Sequence, residues 1–175
     1  MNRYRIVERV GDGSFGTVMK AVDMHTGDVV AVKRIKRDYV TWEECACLRE
    51  VKAMMVISHP NIVPMKEVIR EGNAIYFVME YMDANLYECM LSRPSCFSEE
   101  QIRSIRYQIF LGLAHLHRHS LFHRDIKPEN ILVKGNEVKI GDFGLVREMD
   151  SRPPYTEYIS TRWLCATTWD DLLGI

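Results

Sequence analysis

The sequence predicts an α+β fold in which a strand-rich first half with one helix precedes a helical second half. Between Tyr4 and Glu80, short β-branched runs alternate with Gly, Asp and Asn turns, which is typical of antiparallel strands. From Asn85 onward the hydrophobic period changes to that of a helix. A chain of 175 residues with 47% hydrophobic residues is long enough to bury one sizeable core.

The strand-like runs of the first half lie at residues 6–10, 29–32 and 75–78. One helix is predicted over residues 42–57, with Thr41 as the N-cap and an end before His59 and Pro60. Its apolar stripe, at helical spacing, consists of Leu48, Val51, Met54 and Met55. The first half is therefore expected to be a sheet with one helix packed on it.

The second half begins its main helix at a capping box formed by Ser98 and Gln101. A stripe of apolar residues follows at helical spacing, namely Ile102, Ile105, Ile109, Leu113 and Leu116. This pattern predicts one long amphipathic helix over residues 98–119. Short strands are expected at 131–133 and 138–140, and the segment 142–163, which has two prolines and little periodicity, is expected to be a long functional loop.

Charge and cysteine content exclude several classes of protein. Lys and Arg number 23 against 24 Asp and Glu, so neither nucleic acid nor an anionic membrane is expected as a partner. No apolar run approaches the roughly 20 residues of a membrane span, and charged residues interrupt the first ten positions, which favours a cytoplasmic or nuclear protein without membrane insertion. The five cysteines contain no CxxC pair, so no zinc site or disulfide framework is expected.

A glycine-rich motif, G-x-G-x-x-G-x-V, extends from Gly11 to Val18 and includes Gly13, Ser14 and Gly16. Glycines allow backbone N–H groups to approach phosphates without a Cβ in the way. The same spacing occurs in dinucleotide-binding oxidoreductases, so the motif alone is weak. A strand, rather than the helix of a dinucleotide site, is expected after these glycines, and no acidic residue lies at the ribose position. The pattern therefore favours a phosphate-binding hairpin.

Lys33 is expected on the third strand and Glu50 on the helix that follows it. An ion pair between them would aim the lysine ammonium at the α- and β-phosphates of a nucleotide. Most Lys–Glu pairs are surface contacts worth about 0 to 1 kcal/mol, so this assignment depends on the other motifs.

The strongest signal is the run His123-Arg124-Asp125-Ile126-Lys127-Pro128-Glu129-Asn130, followed after one short hairpin by Asp142-Phe143-Gly144. Phosphoryl transfer to a hydroxyl needs a carboxylate that takes up the hydroxyl proton and a cation near the moving group, roles that fit Asp125 and Lys127. It also needs oxygen ligands for Mg²⁺, which Asn130 and Asp142 supply. Four motifs in this order favour a functional site over a polar turn.

On these motifs, residues 1–163 resemble a eukaryotic protein Ser/Thr kinase, with an N-lobe at 1–80, a hinge at 80–85 and a partial C-lobe at 86–163. Lys127 is typical of Ser/Thr rather than tyrosine kinases. Thr156-Glu157-Tyr158 and the run from Met82 to Glu88 resemble the MAK/MOK (RCK) subfamily, in the group of cyclin-dependent and MAP kinases. The resemblance implies a protein-kinase-like fold, ATP bound between the lobes, Mg²⁺, protein substrates with Ser or Thr, and an upstream activating kinase. An association with cilia is implied by the resemblance alone.

The resemblance also implies roles for individual residues. The adenine would lie among Val10, Val18, Ala31 and Leu132, with Met79 as gatekeeper and the backbone of Glu80 and Met82 bonding the base edge. Thr156 and Tyr158 would be the activation-loop phosphosites, with Arg49, Arg124 and Arg147 collected around phosphothreonine. Since a phosphate adds about −1.5 to −2 charges, we expect phosphorylation of Thr156 to order the loop through these arginines.

After Trp163 the chain departs from the family, which continues with Tyr-Arg-Ala-Pro-Glu and further helices. Residues 164–175 form a divergent tail, and the C-lobe is expected to be incomplete. An alternative exon, a frame change and a gene-model error would each produce such a switch. The sequence therefore predicts a protein Ser/Thr kinase, and the alternative is a nucleotide-binding fragment without catalysis that acts as a decoy or is unstable.

Overall fold

A five-stranded antiparallel sheet forms most of the first half of the chain in the computed structural model, which describes residues 1–13, 16–36 and 49–148. The sheet has the order β1-β2-β3-β5-β4. Its strands are β1 (Tyr4–Asp12), β2 (Gly16–Asp23), β3 (Val29–Ile35), β4 (Met65–Glu71) and β5 (Ala74–Glu80). The strand-rich first half of the predicted α+β fold is confirmed.

β3 lies at the centre of this sheet, and four successive residues of it, Val30 to Lys33, are buried. A strand covered on both faces needs such a run, because its side chains alternate between the two sides. On one face the buried cluster is Ile35, Val51, Ile75 and Phe77. On the other it is Tyr4, Ala21, Val30, Val32 and Val78.

The helix of the first half, α1 (Arg49–Val56), contributes Val51 to the first of these clusters. Val51 and Met54 are buried as the predicted stripe requires, but Met55 is 76% exposed. Ala53 is buried beside Val51 and Met54, so the buried face of the helix is centred on the side of Ala53 and Met54, and Met55 lies outside it. The predicted helical residues 42–48 lie outside the described part of the chain.

The chain divides into two compact units. The first unit comprises Met1–Ser58 and Val63–Met82, and the second comprises His59–Ile62 and Asp83–Ile175. The short segment His59–Ile62 thus belongs to the second unit, although the residues on both sides of it belong to the first. The first unit contains β1 to β5 and α1.

The second unit contains two helices, α2 (Leu86–Ser92) and α3 (Glu99–Arg118). The predicted capping box of α3 is present: Gln101 N–H donates to Ser98 Oγ, and Gln101 Oε1 accepts from Ser98 N–H. α2 begins with an equivalent box formed by Asn85 and Glu88. The sequence analysis did not predict α2.

One face of α3 is covered by the segment His59–Ile62 and by strand β9 (Glu137–Ile140). Ile109, Gly112 and Leu116 are buried on this face. A Cβ on Gly112 would lie 2.8 Å from Asn61 O and 2.9 Å from Ile140 Cδ1. Only glycine therefore permits this close approach of the helix.

Asn61 connects the segment His59–Ile62 to its surroundings. Its Nδ2 donates to Val138 O at 2.9 Å and to Gln108 Oε1 at 3.1 Å. Its backbone carbonyl accepts from Ile140 N–H at 2.9 Å. These bonds attach the segment to α3 and β9 within the second unit.

Short strands complete the described part of the second unit. They are β6 (Ala84–Asn85), β7 (Leu121–Phe122), β8 (Ile131–Lys134), β9 (Glu137–Ile140) and β10 (Arg147–Glu148). β6, β8 and β9 form one sheet, and β7 pairs with β10. β10 lies in the segment that was predicted to be a loop. Across residues 1–13, 16–36 and 49–148, no helix is long and apolar enough to cross a membrane.

Candidate active site

The described residues of the glycine motif lie at the end of β1 and the start of β2. Asp12 and Thr17 are directly opposite each other, and Gly13 N–H donates to Gly16 O at 2.9 Å. A Cβ on Gly16 would lie 2.5 Å from Arg34 O, so the start of β2 packs closely against β3. At Gly11 and Gly13 an added Cβ would meet no atom nearer than 3.9 Å. These two glycines thus leave open space along the backbone, as close approach by phosphates requires. Ser14 lies outside the described residues.

Lys33 and Glu50 form the expected ion pair. Lys33 Nζ donates to Glu50 Oε1 at 2.7 Å, and the two side chains are only 7% and 12% exposed. Lys33 is placed by the central strand β3, and Glu50 by the first turn of α1. The pair joins the helix to the sheet inside a shielded environment, where charge–charge attraction is stronger than at the surface.

The residues expected to contact adenine differ in exposure. In the first unit, Ala31 is 9% exposed and lies opposite Met79 across the β3–β5 pairing. Val10 is 51% exposed and lies where the β1–β2 register shifts. The others in this unit are half-buried or buried, namely Val18, Met79, Glu80 and Met82. In the second unit Leu132 is half-buried on β8. Their roles in base binding stay predictions.

The second unit holds the candidate catalytic carboxylate. Asp125 is 5% exposed, and its Oδ2 accepts from Lys127 Nζ at 2.8 Å and from Asn130 Nδ2 at 2.9 Å. Asn130 Nδ2 also donates to Asp125 O at 2.8 Å. A 3₁₀ turn over Pro128–Asn130 brings Asn130 back to Asp125. Lys127 and Asn130 together fix the orientation of the carboxylate.

The hydrogen bonds of Asn130 also identify its metal-binding atom. Both use the amide nitrogen Nδ2, so Oδ1 is the atom that can bind a cation. Asp142, the other predicted ligand, is half-buried at the start of the loop after β9. Mg²⁺ prefers oxygen ligands and is often held by one or two protein groups plus the phosphates of a substrate. The two side chains fit that chemistry.

His123 connects the two loops that carry Asp125 and Asp142. It is 2% exposed, its Nε2 lies 2.9 Å from Gly141 O, and its Nδ1 accepts from Asp125 N–H at 3.3 Å. A neutral ring that carries its proton on Nε2 satisfies both contacts. Burial lowers the pKa of His123, which favours this neutral form. The edge of the ring also packs on Phe143, which is fully buried.

Two backbone positions of these loops are left-handed although neither is glycine. Arg124 has φ 68° and Asp142 has φ 57°. Such conformations cost on the order of 1 to 3 kcal/mol for an ordinary residue and cluster at functional sites, although Asp adopts them more readily than most. Arg124 Nε donates to Leu145 O at 2.7 Å, which holds the two strained loops together.

The predicted regulatory residues are only partly described. Thr156 and Tyr158 lie outside the described residues, as does the side chain of Arg49. Arg124 lies beside Asp125, and Arg147 lies on β10. A common phosphate site for the three arginines therefore stays a prediction.

The motif that contains Asp125 includes His123 but does not indicate its role, and no sequence pattern indicates Asn61. His123 was detectable as the residue that begins the motif containing Asp125. For Asn61 the sequence offers no comparable signal, because its partners, Gln108 and Val138, are distant in the chain.

The fold and these motifs are those expected of a protein kinase domain, and comparison with known families agrees. Residues 4–169 match the protein kinase domain family. The chain therefore belongs to that family. The match begins near the predicted start of the domain and extends into the segment predicted to be a divergent tail.

The relatives identify the branch of the family. The chain is 53% identical over 163 residues to cyclin-dependent kinase F-4 of Oryza sativa subsp. japonica. It is 52% identical over 164 residues to serine/threonine-protein kinase ICK of Rattus norvegicus and, likewise, to serine/threonine-protein kinase MAK of Homo sapiens. These alignments cover 93% of this chain but 36%, 26% and 26% of the relatives. The predicted resemblance to the MAK group is confirmed.

A solved structure supports the fold. The crystal structure of the yeast RNA Pol II CTD kinase CTDK-1 complex contains a chain that matches with a TM-score of 0.79 and 32% identity. The match covers 93% of this chain and 52% of that one. The predicted protein-kinase-like fold is confirmed.

Proposed function

We propose that the chain is the ATP-dependent part of a protein Ser/Thr kinase, which transfers the γ-phosphoryl group of Mg-ATP to Ser and Thr hydroxyls of proteins. The observation that supports this proposal best is the arrangement around Asp125, whose carboxylate is oriented by Lys127 and Asn130 at 2.8 and 2.9 Å. Family membership and the Ser/Thr kinase names of the relatives support the same reaction.

In this proposal each of the motif residues has a stated part in binding Mg-ATP or in the transfer. Mg-ATP supplies the transferable phosphoryl group and a cation that neutralises its charge. Lys33, oriented by Glu50, binds the α- and β-phosphates, and Asn130 Oδ1 and Asp142 hold the cation. Asp125 accepts the proton of the attacking hydroxyl, while the Lys127 ammonium offsets negative charge that develops beside it.

Protein substrates and an upstream activating kinase are the partners this proposal requires. The names of the relatives support protein substrates as a class. We place the activating phosphorylation at Thr156 and Tyr158, by the resemblance of Thr156-Glu157-Tyr158 to the activation segment of the family.

Phosphate transfer from labelled ATP to a generic basic protein tests the proposed reaction. The full chain is compared with Asp142→Ala, which removes a carboxylate ligand of the cation and should lower the transfer rate by at least about 100-fold, a typical loss for a group that stabilises charge in a transition state. A rate in the unmodified chain no higher than in Asp142→Ala would contradict the proposal. ATP binding without transfer would support the alternative of a nucleotide-binding chain without catalysis.

The same assay tests the activating site. Thr156→Ala should transfer phosphate more slowly than the unmodified chain after both have been treated with an activating kinase. Asp142→Ala again provides the blank. Equal rates for Thr156→Ala and the unmodified chain would show that phosphorylation of Thr156 does not order the site.

A further inference from the structure

Asp12, inside the glycine motif, accepts contacts from three side chains. Its Oδ1 accepts from Thr17 Oγ1 at 3.2 Å and lies 3.1 Å from Lys36 Nζ. Its Oδ2 accepts from the guanidinium of Arg9. One carboxylate therefore binds two cations and a hydroxyl.

These three donors belong to three neighbouring strands. Arg9 is on β1, Thr17 is on β2 directly opposite Asp12, and Lys36 follows the last residue of β3. A single exposed ion pair contributes little, because ordering two long side chains offsets their attraction. Here the short side chain of Asp12 contacts three donors at once, so fewer long side chains must be ordered for each contact. These contacts lie where β1 and β3 end and β2 begins.

The charge of Asp12 is favoured by its surroundings. The hydrogen bond from Lys36, together with the contacts of Thr17 and Arg9, lowers the pKa of the carboxyl. A carboxyl is ionised at neutral pH in any case, and the lowered pKa keeps Asp12 ionised at more acidic pH as well. The contacts are therefore present above the ordinary carboxyl pKa and are lost as the pH falls through the lowered value.

We propose that Asp12 is a positioning residue, which ties β1, β2 and β3 together and so holds Gly11, Gly13 and Gly16 in the positions from which their backbone binds nucleotide phosphates. Asp12 acts through the backbone of the glycine motif rather than by touching the phosphates. The role rests on the proposed function, since it presumes that the glycine motif binds a nucleotide. The role goes beyond the proposed function: the glycines allow the backbone conformation that binds phosphates, and Asp12 stabilises that conformation.

Hydrogen exchange of the nucleotide-free full chain tests the structural half of this proposal. Asp12→Asn keeps the size of the side chain but removes its charge. The amides of Gly13, Thr17 and Val18 should exchange about two- to five-fold faster in this variant at low salt, a factor that corresponds to the loss of an exposed ion-pair group. In 1 M salt the difference should shrink, because the Debye length falls to about 3 Å.

The matched control is Asp28→Asn. Asp28 is also an exposed acidic residue of the first unit, and it lies 3.6 Å from Lys66 Nζ. Its removal should leave exchange in the glycine motif unchanged. Unchanged exchange in Asp12→Asn, or equal acceleration in Asp28→Asn, would overturn the proposal.

Nucleotide binding tests the functional half. Asp12→Asn should raise the Kd of Mg-ATP about two- to five-fold and leave the Kd of adenosine unchanged, because adenosine has no phosphates for the glycine motif to hold. Arg9→Gln and Lys36→Gln remove the two cations that contact Asp12, and each should raise the Kd of Mg-ATP by part of this factor. Equal weakening of Mg-ATP and adenosine would overturn a role in phosphate positioning.

The two readouts separate this proposal from the proposed function. Exchange in the glycine motif is measured without nucleotide, so it reports on Asp12 even if the unmodified chain fails to bind Mg-ATP, an outcome that would contradict the proposed function. Faster exchange together with selective loss of Mg-ATP affinity supports both. Weaker Mg-ATP binding with unchanged exchange overturns the positioning role, since the loss of affinity would then not arise from a change in the strands that Asp12 connects.

Discussion

Lys33 and Glu50 show how much the contribution of one ion pair depends on its surroundings. Their side chains are 7% and 12% exposed, whereas those of Lys20 and Glu8, which lie 3.5 Å apart on the same sheet, are 30% and 59% exposed. Removal of one partner of a buried pair leaves the other charge in a poorly solvated place. Removal of a partner at the surface lets water replace it.

Substitution of each glutamate tests this contrast. Glu50→Gln should lower the free energy of unfolding by about 3 kcal/mol, because the buried Lys33 ammonium loses the carboxylate of Glu50 in a poorly solvated place. Glu8→Gln, the matched control, should change it by about 1 kcal/mol or less. Urea unfolding followed by circular dichroism measures both. Similar losses in the two variants would show that burial does not strengthen the Lys33–Glu50 pair.

At the scale of elements, the ends of α3 are defined by local chemistry. Its N-terminus has the capping box of Ser98 and Gln101. At its other end, Ser120 follows the C-cap residue His119 and has φ 54°. This left-handed position after a helix is the one that favours glycine, because any Cβ there is crowded by the backbone.

Ser120→Gly should therefore stabilise the chain by about 0.5 to 1 kcal/mol, since glycine adopts the left-handed conformation without strain. Ala114→Gly is the opposite control: Ala114 is an exposed position inside α3, where glycine costs about 1 kcal/mol. Thermal unfolding of the full chain measures both changes. A lower melting temperature for Ser120→Gly would contradict the expectation.

The elements also show which features a sequence can predict. α3 was predicted almost to the residue, because its cap and its stripe of five apolar residues are both local patterns. α2 was missed: with seven residues it is too short for a periodicity, and the Asn85–Glu88 box was its only clear signal. The strand β10 was missed because Arg147–Glu148 is defined by pairing with β7, a partner distant in sequence.

In the candidate site, too, local sequence patterns could be predicted and contacts between distant residues could not. Lys33, Asp125, Asn130 and Asp142 are assigned from motifs and stay predictions; motifs can assign them because each chemistry restricts the residue type and its neighbours in sequence. The contacts of Asp12 were not found, because Arg9, Thr17 and Lys36 meet it only after three strands align. The exposure of Met55 likewise depends on the direction in which α1 faces the sheet.

At the scale of the whole molecule, stability should depend on pH through two histidines, the buried His123 and the half-buried His115. Burial lowers the pKa of His123, and burial together with neighbouring His119 and His59 lowers that of His115, from the ordinary value of 6.5. The unfolded chain therefore binds more protons than the folded chain as the pH falls below 6.5. The stabilisation is complete above that value and is lost on acidification.

We expect the free energy of unfolding to fall by about 1 kcal/mol for His123 alone between about pH 7 and pH 5.5. Urea titrations at the two pH values measure this loss. His123→Gln should reduce the pH dependence, whatever its effect on stability at pH 7. Titration of the His123 ring by NMR in the unmodified chain is an independent check, and protonation of the native ring at or above pH 6.5 would contradict the expectation.

The place of His59–Ile62 in the chain imposes an order of events during synthesis. Asn61 emerges from the ribosome long before Val138, which lies 77 residues later. The strands of the first unit from Met1 to Met82 can pair as soon as they emerge, whereas this short segment must wait for β9. Because contacts between distant residues form slowly, closure of the second unit around Asn61 is a late step, and a nascent chain arrested before β9 would expose Ile62 to chaperones.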